Sequence, residues 1–199
     1  MRAAPTSTEL QEIVACGRYE EPVRRVLHAL KHRRHQSIAR PLGELMRRVG
    51  GSVLEGADAV VPVPLHVVRR RSRGFNQAEA LARELGPPVL LALRKARASP
   101  PQSTLPAGRR ALNVVDAFTL AGRSASGLWG SAWRGLIGRP APPVEHALAG
   151  LTLVLVDDVR TTGATLDACA RALRRGGALE VRALVMAQVT LDGRGPGGR

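Results

Sequence analysis

The chain has very little cysteine. Cys16 and Cys169 are its only cysteines, and they are too far apart in sequence to supply the closely spaced ligand pairs of a zinc module. His28, His32 and His35 follow helical spacing, but no carboxylate or cysteine accompanies them, which favours a solvated basic helix face over a metal site. We therefore expect two ordinary reduced thiols and no zinc.

Aromatic residues and long apolar runs are also scarce. Aromatics make up 3% of the 199 residues and hydrophobic residues 44%, so the core must consist of Val, Leu, Ala and Ile, which suits strands covered by helices. No stretch approaches the roughly 20 apolar residues of a membrane span, and Met1 to Leu10 lacks the features of a secretory signal. These absences predict no membrane span and a cytosolic location.

Lysine is nearly absent as well. Lys31 and Lys95 are the only lysines, although the formal net charge is +14. Arginine therefore carries the positive charge, and its planar guanidinium suits bidentate contacts with phosphate. Such a surface can attract nucleic acid or small polyphosphates, but arginine bias can also come from the nucleotide composition of the coding sequence. Both explanations stay open at this point.

Periodicity and turn residues divide most of the chain into helices and strands. Residues 1–17 show no clear period and are predicted to be a loose lead. A helix is predicted with Pro22 in its first turn and the basic run Lys31 to Arg34 at its end, and further helices at residues 37–49 with Ser37 as cap, 76–85 with Asn76 as cap, and 164–175. Strands are predicted at residues 59–64, 89–93, 114–120, 151–156 and 180–189. This order predicts an α/β fold with a parallel sheet and ligands at the carboxyl ends of its strands.

Two adjacent carboxylates follow the strongest strand pattern. The apolar run Leu153 to Val156 is typical of a central parallel strand, and it delivers Asp157 and Asp158 to the carboxyl edge of the sheet. Two neighbouring carboxylates repel each other and neither is buried cheaply, so the pair should bind cations or accept hydrogen bonds from hydroxyl groups. A ribose 2′,3′-diol supplies such hydroxyls.

A turn rich in hydroxyl groups comes next. Thr161, Thr162, Gly163, Ala164 and Thr165 combine hydroxyls, a flexible glycine and the start of a helix. Free backbone N–H groups at a helix start form an anion site. An ordinary polar turn with helix capping fits the five residues alone, but the succession of strand, acids and turn favours a diol and a phosphate held one sugar apart.

These residues resemble a known family. The run from Val154 to Thr165 is similar to the PRPP-binding motif of type I phosphoribosyltransferases, where PRPP is 5-phosphoribosyl-1-diphosphate. More narrowly, Val61 to Pro64, Arg73 to Glu79 and Arg94 to Phe118 resemble three segments of the ComF family of competence proteins. The resemblance covers residues 19–120 and 150–190.

The resemblance implies roles for two basic segments. Arg70, Arg71 and Arg73 would bind the pyrophosphate group, although they also fit an ordinary solvated loop. The excursion at residues 102–113 corresponds to a flexible loop that closes over PRPP, so Arg109 and Arg110 would stabilise the departing pyrophosphate. A merely disordered basic loop is the alternative there.

The sequence departs from the family pattern in three places. Many members begin with a four-cysteine zinc module, for which this sequence has no ligands. Arg160 stands where the motif usually has a small or apolar residue, and it is expected to add positive charge beside the phosphate. A Gly/Ala/Pro-rich insertion at residues 121–149 separates two family segments, and its Trp129 and Trp133 fit either a partner-docking element or packing on the protein's own surface.

The domain organisation and function follow as expectations. We expect a lead and helical hood at residues 1–50, a phosphoribosyltransferase-like domain at 51–190 and a disordered tail at 191–199. The resemblance implies transfer of a phosphoribosyl group from Mg²⁺-bound PRPP to an unidentified nitrogenous acceptor, with Asp157 and Asp158 reaching the ion through water. The alternative is a competence accessory protein that binds single-stranded DNA or DNA-uptake proteins, or senses PRPP. The sequence leaves open whether the chain forms a homodimer.

Overall fold

Four parallel strands form the centre of the protein. In the computed structural model, neighbouring strands follow the order β2 (Ile13–Arg18), β7 (Glu180–Gln188), β6 (Thr152–Arg160) and β3 (Ala59–Pro62). A short strand, β1 (Arg2–Ala3), pairs antiparallel with β2 at the edge. The middle of β6 and β7 is apolar and buried on both faces, as helices on either side require. The predicted α/β fold with a parallel sheet is confirmed.

The structure describes the backbone of residues 2–3 and residues 9–31, 37–65, 75–95, 117–121 and 148–189. Most of the 121–149 insertion, including Trp129 and Trp133, and the whole predicted tail at 191–199 lie outside these ranges. The states that we expected for them stay predictions, as does the division into domains.

The N-terminal segment contributes a strand that the sequence analysis missed. We expected residues 1–17 to be a loose lead, which is wrong for residues 13–17, because they belong to β2 and this strand pairs with β7. Ile13 and Ala15 are fully buried in one core cluster, and Val14 is buried in the other. A short strand buried on both faces shows no alternation, so its apolar run carried no period to detect.

One face of the sheet is covered by the last helix and a small hairpin. Helix α5 (Ala164–Arg175) buries its apolar stripe against β6 and β7, and the antiparallel pair β4 (Leu93–Lys95) and β5 (Phe118–Leu120) packs beside it. The bounds predicted for this helix are confirmed. Residues 114–116 of the predicted strand lie outside the described ranges, and β5 begins only at Phe118.

Within the described ranges, four helices cover the other face. These are α1 (Val23–Leu30), α2 (Ala39–Val49), α3 (Gly51–Leu54) and α4 (Gln77–Ala82). Their buried side chains form one cluster with Val154, Val156 and Leu184 of the sheet. The N-terminal helices α1 and α2, which we expected to form a hood, therefore supply part of the core that supports the sheet.

The start of α2 differs from the prediction. We expected Ser37 to cap this helix, which is wrong, because the cap position is Ile38 and no side chain caps the helix there. Ser37 and Ile38 form a short 3₁₀ turn that leads directly into Ala39. Since the preceding turn is already helical, Ser37 does not stand at the boundary that a capping side chain serves.

Asn76 fixes the start of α4 at the end of β3. Its Oδ1 accepts a hydrogen bond from Ala78 N–H at 3.2 Å, which confirms the predicted cap. Its Nδ2 donates to Val63 O at 3.0 Å. Val63 N–H in turn donates to Val156 O at 2.9 Å, so one side chain ties α4 to β3 and, through it, to β6. The helix ends at Ala82, short of the predicted Leu85.

Replacing Asn76 separates these two contacts. Asn76→Ala removes both, and we expect the free energy of unfolding to fall by about 1–3 kcal/mol. Asn76→Ser keeps a capping oxygen but loses the donor to Val63, so it should lose less. Urea denaturation measures both changes. Equal losses in the two variants would show that the cap contributes nothing, and a Ser variant as stable as the wild type would show the same of the bond to Val63.

Candidate functional site

The candidate site lies where β6 extends beyond the end of its neighbour β3. Pro62, the last residue of β3, pairs with Val156, whereas β6 continues to Arg160 alongside β7. We expected the strand to end at Val156 with the acids after it. The strand instead includes both acids, which are paired with β7 on one side and extend past the end of β3 on the other. The acids thus occupy a step in the carboxyl edge of the sheet.

Asp157 lies on the α5 side of this step. Alternation along β6 places it with Leu153 and Leu155, which α5 covers. Its Oδ1 accepts a hydrogen bond from Asp158 N–H at 2.9 Å. Burial raises the pKa of Asp157 well above its usual value, and the neighbouring charge of Asp158 raises it further. The pair can therefore retain a proton that a bound cation or hydroxyl group displaces.

Asp158 belongs to the opposite side of the sheet. Alternation places it with Val154 and Val156, which pack with the helices that include α4. By their exposure to solvent both acids are half-buried. A ligand lying across the end of β6 can therefore reach both.

The Thr161–Thr165 turn is open. Thr161, Thr162, Ala164 and Thr165 are exposed, and only Gly163 is buried. Gly163 has φ +88°, a conformation that L side chains rarely adopt, and it places the chain directly at the first residue of α5. Ala164 N–H makes a long bond of 3.4 Å to Thr162 Oγ1. The turn is therefore accessible to an anion at the start of α5.

Arg160 is turned toward β7. Its side chain is 6% exposed, and Nη1 donates to Gln188 Oε1 at 3.3 Å. The positive charge that we expected beside the phosphate turn is thus buried at the end of the neighbouring strand. The sequence alone could not predict the burial of Arg160, because the contact depends on the register of Arg160 with Gln188.

Lys95 packs on the α5 side of the sheet, and the sequence analysis did not single it out. Its ammonium lies 5.6 Å from the centroid of the Phe118 ring, a cation–π geometry. It is also close enough to lower the pKa of the Cys169 thiol, which burial and the charge of Asp157 raise. Lys95 therefore lies on the same side as Asp157. Lysine is rare in this arginine-rich chain, and this rarity is the sequence feature that could have drawn attention to Lys95.

The acid pair fits a magnesium ion held mainly by a substrate. Across the described ranges, no group of three or more His, Cys, Asp or Glu side chains could hold a metal ion. Mg²⁺ prefers oxygen ligands and keeps several waters, so two half-buried carboxylates are a suitable donor set. In the part of the chain that the structure covers, no helix is long and apolar enough to cross a membrane.

Comparison with known proteins identifies the family. The model of the phosphoribosyl transferase domain matches residues 64–194, a range that contains the acid pair and the threonine turn. The chain belongs to the phosphoribosyl transferase domain family. The sequence analysis inferred a resemblance to this family from the motif around Asp157, and that resemblance is confirmed.

Relatives place the chain more narrowly within the phosphoribosyl transferase family. It is 32% identical over 184 residues to DNA utilization protein YhgH of Salmonella typhimurium, covering 86% of this chain and 70% of the relative. It is 27% identical over 181 residues to Competence protein F of Haemophilus influenzae, with the same coverage. An adenine phosphoribosyltransferase of Mycolicibacterium gilvum is 34% identical over 154 residues, which cover 77% of this chain and 69% of the relative.

The structure leaves the predicted arginine sites untested. Arg70, Arg71 and Arg73 lie outside the described residues, as do Arg109 and Arg110. Their positions in the chain follow β3 and β4, respectively. Their roles stay predictions.

Asp157 should make stability depend on pH. Because its pKa is raised in the folded protein, the folded state holds a proton that the unfolded state releases above about pH 4. Wild-type stability therefore contains a penalty that grows as pH rises above that value and levels off above the folded pKa. Asp157→Asn removes this penalty, so we expect its Tm to exceed that of the wild type at pH 8 and to converge with it near pH 4. A constant difference across this range would contradict the raised pKa.

Proposed function

We propose that the protein binds PRPP and transfers its phosphoribosyl group to a nitrogen nucleophile, with release of pyrophosphate. One observation carries the proposal: half-buried Asp157 and Asp158 are followed, at the end of the same strand, by the exposed turn Thr161–Thr165. In this order a diol-binding pair and an anion-binding turn match the two halves of a ribose 5-phosphate. Membership of the phosphoribosyl transferase domain family supports the same ligand.

In this proposal the acid pair holds the sugar. Asp157 and Asp158 accept hydrogen bonds from the 2′- and 3′-hydroxyls, which satisfies the oxygens of two neighbouring carboxylates whose charges otherwise repel each other. Binding favours the ionised form of Asp157, so it displaces the proton that the raised pKa retains. PRPP affinity should consequently increase with pH.

The turn holds the 5′-phosphate. Thr161, Thr162 and Thr165 are exposed and can donate their hydroxyl hydrogens, while the start of α5 contributes backbone N–H groups. Gly163 allows this close approach, because its positive φ brings the helix start directly after the strand. The phosphate is therefore fixed relative to the sugar by two consecutive segments of one chain.

The transfer itself is a substitution at the anomeric carbon. The bond from that carbon to the diphosphate oxygen breaks with its electron pair on pyrophosphate, and the lone pair of the nucleophile forms the new bond from nitrogen to carbon. The displaced nitrogen proton passes to solvent. Arg70, Arg71, Arg73, Arg109 and Arg110 bind the leaving group in this proposal, on the strength of the family resemblance and of arginine chemistry. Catalysis is then positioning and charge stabilisation.

Magnesium completes the proposed substrate complex. When bound, Mg²⁺ neutralises charge on the diphosphate and leaves Asp157 and Asp158 to contact it through water. The two carboxylates need no dedicated cage of further ligands for this role.

We place the activity in the cytosol, where PRPP and nitrogenous bases are both available.

A nitrogenous base is the acceptor class that we propose. The adenine phosphoribosyltransferase relative supports this class, because the adenine in its name is a nitrogenous base. The residues that would select one base are not identified by the acid pair or the turn, since both contact only the phosphoribosyl half of the reaction.

A second candidate function is binding of single-stranded DNA. It is favoured by the names of two relatives, DNA utilization protein YhgH and Competence protein F, together with the net charge of +14. Arg47 and Arg48, in the last turn of α2, are exposed and could contact phosphates. A protein of this kind could also sense PRPP without reacting with it.

Replacing Asp158 tests the binding proposal. We expect Asp158→Asn to weaken PRPP binding in the presence of Mg²⁺ by about 10- to 100-fold, because a neutral amide accepts hydrogen bonds from hydroxyls less strongly. The Tm should change by no more than about 3 °C, since the variant also removes a like-charge repulsion. Calorimetry measures the affinity. Glu55→Gln, an exposed carboxylate before β3 at the opposite edge of the sheet, is the control for the loss of charge. Parallel losses of affinity and stability would instead indicate a structural role.

Assays of two activities separate the candidates. We expect pyrophosphate release from PRPP that depends on Mg²⁺ and on an added base, and that falls in Asp158→Asn. DNA binding alone predicts no release with any base and an affinity for single strands that falls steeply with salt, by a log–log slope of about −0.7 per phosphate contact. The latter combination would overturn the transferase.

A further inference from the structure

Gln77 is a buried amide that the proposed mechanism does not use. It is the first residue of α4, and 2% of its surface is exposed. Among the residues that the structure describes, none accepts a hydrogen bond from its Nε2. A buried donor without an acceptor lowers stability, and folded proteins retain few of them. The position of Gln77 therefore requires an explanation.

A chain of short contacts places Gln77 at the ligand edge of the sheet. Asn76 Nδ2 donates to Val63 O at 3.0 Å, and Val63 N–H donates to Val156 O at 2.9 Å. Gln77 follows Asn76 directly, and Asp157 follows Val156. The buried amide and the acid pair are thus linked through one residue at the end of β3.

Gln77 and the phosphate turn belong to opposite faces of the sheet. Leu81 of α4 packs with Val154 and Val156, on the side of β6 to which alternation assigns Asp158. The Thr161–Thr165 turn leads into α5, which covers the other face. A ligand whose 5′-phosphate lies at the start of α5 and whose sugar crosses the acid pair therefore extends its far end toward α4.

We infer that Gln77 is a further ligand-contacting residue, whose Nε2 donates a hydrogen bond to a diphosphate oxygen of the bound sugar diphosphate. This rests on the proposed function. The amide nitrogen of Gln77 only donates hydrogen bonds, so it needs an acceptor. The sugar hydroxyls already donate to Asp157 and Asp158, and they are therefore not the expected acceptors. The diphosphate oxygens are the strongest remaining acceptors at that end of the ligand. The cost of an amide with no acceptor among the described residues is then recovered on binding.

A nearly isosteric apolar variant distinguishes this role from a structural one. In Gln77→Met we expect the Tm to equal that of the wild type or to exceed it by up to about 4 °C, because an unpaired polar group is removed. The affinities for Mg²⁺-pyrophosphate and for PRPP should each fall about 10- to 100-fold, and the affinity for ribose 5-phosphate should stay within about twofold. Gln77→Glu, which replaces the donor with a carboxylate, should weaken pyrophosphate binding at least as much.

Thr119 supplies a matched control. Its Oγ1 is also buried without a partner among the described residues, and it lies in β5 on the other face of the sheet. Thr119→Val should therefore change the Tm in the same direction as Gln77→Met but leave all three affinities unchanged.

The possible outcomes separate the inference from the function on which it rests. Unchanged pyrophosphate affinity in Gln77→Met, a loss confined to ribose 5-phosphate, or a fall in Tm of several degrees would each overturn the inference alone, provided that the wild type binds PRPP through Asp158. Failure of the wild type to bind PRPP, pyrophosphate and ribose 5-phosphate would overturn both.

Discussion

Two like charges at the end of a buried strand are the constraint on which the site depends. Asp157 and Asp158 follow four apolar residues of β6, and the strand holds them close enough that the backbone of one bonds to the side chain of the other. Their proximity and burial keep the pKa of Asp157 high, so the free protein carries an electrostatic penalty. A binding site can retain an arrangement that lowers the stability of the free protein, because the bound ligand removes that electrostatic cost.

The surrounding architecture brings different groups to the two acids. The layer that contains α5 supplies the phosphate turn beside Asp157, and the layer that contains α4 brings Asn76 and Gln77 to the side of Asp158. Among the described residues, the pairing of β3 with β6 ends at Pro62, so no strand described there covers the acids on that side. The step between β3 and β6 thus decides where a ligand can lie.

Much of this site could be predicted because its parts are consecutive in sequence. The strand, the acids, the threonine turn and α5 fall within residues 152–175, and local rules of periodicity and turn chemistry apply within such a span. The burial of Arg160 against Gln188 and the effect of Lys95 on Cys169 were not predictable, because they depend on the register and packing of segments distant in sequence. The strand at Ile13–Arg18 was missed for another reason, since burial on both faces removes the alternation that marks a strand.

The N-terminal strand β2 also shows that the family match and the central sheet begin at different residues. The family match begins at residue 64, after β2, β3 and the helices α1 to α3. A fragment cut at that point would keep only β6 and β7 of the five-stranded sheet and would expose both of their long edges to water. The residues that the family model matches are therefore fewer than those that build the sheet, which includes the strand that begins at Ile13.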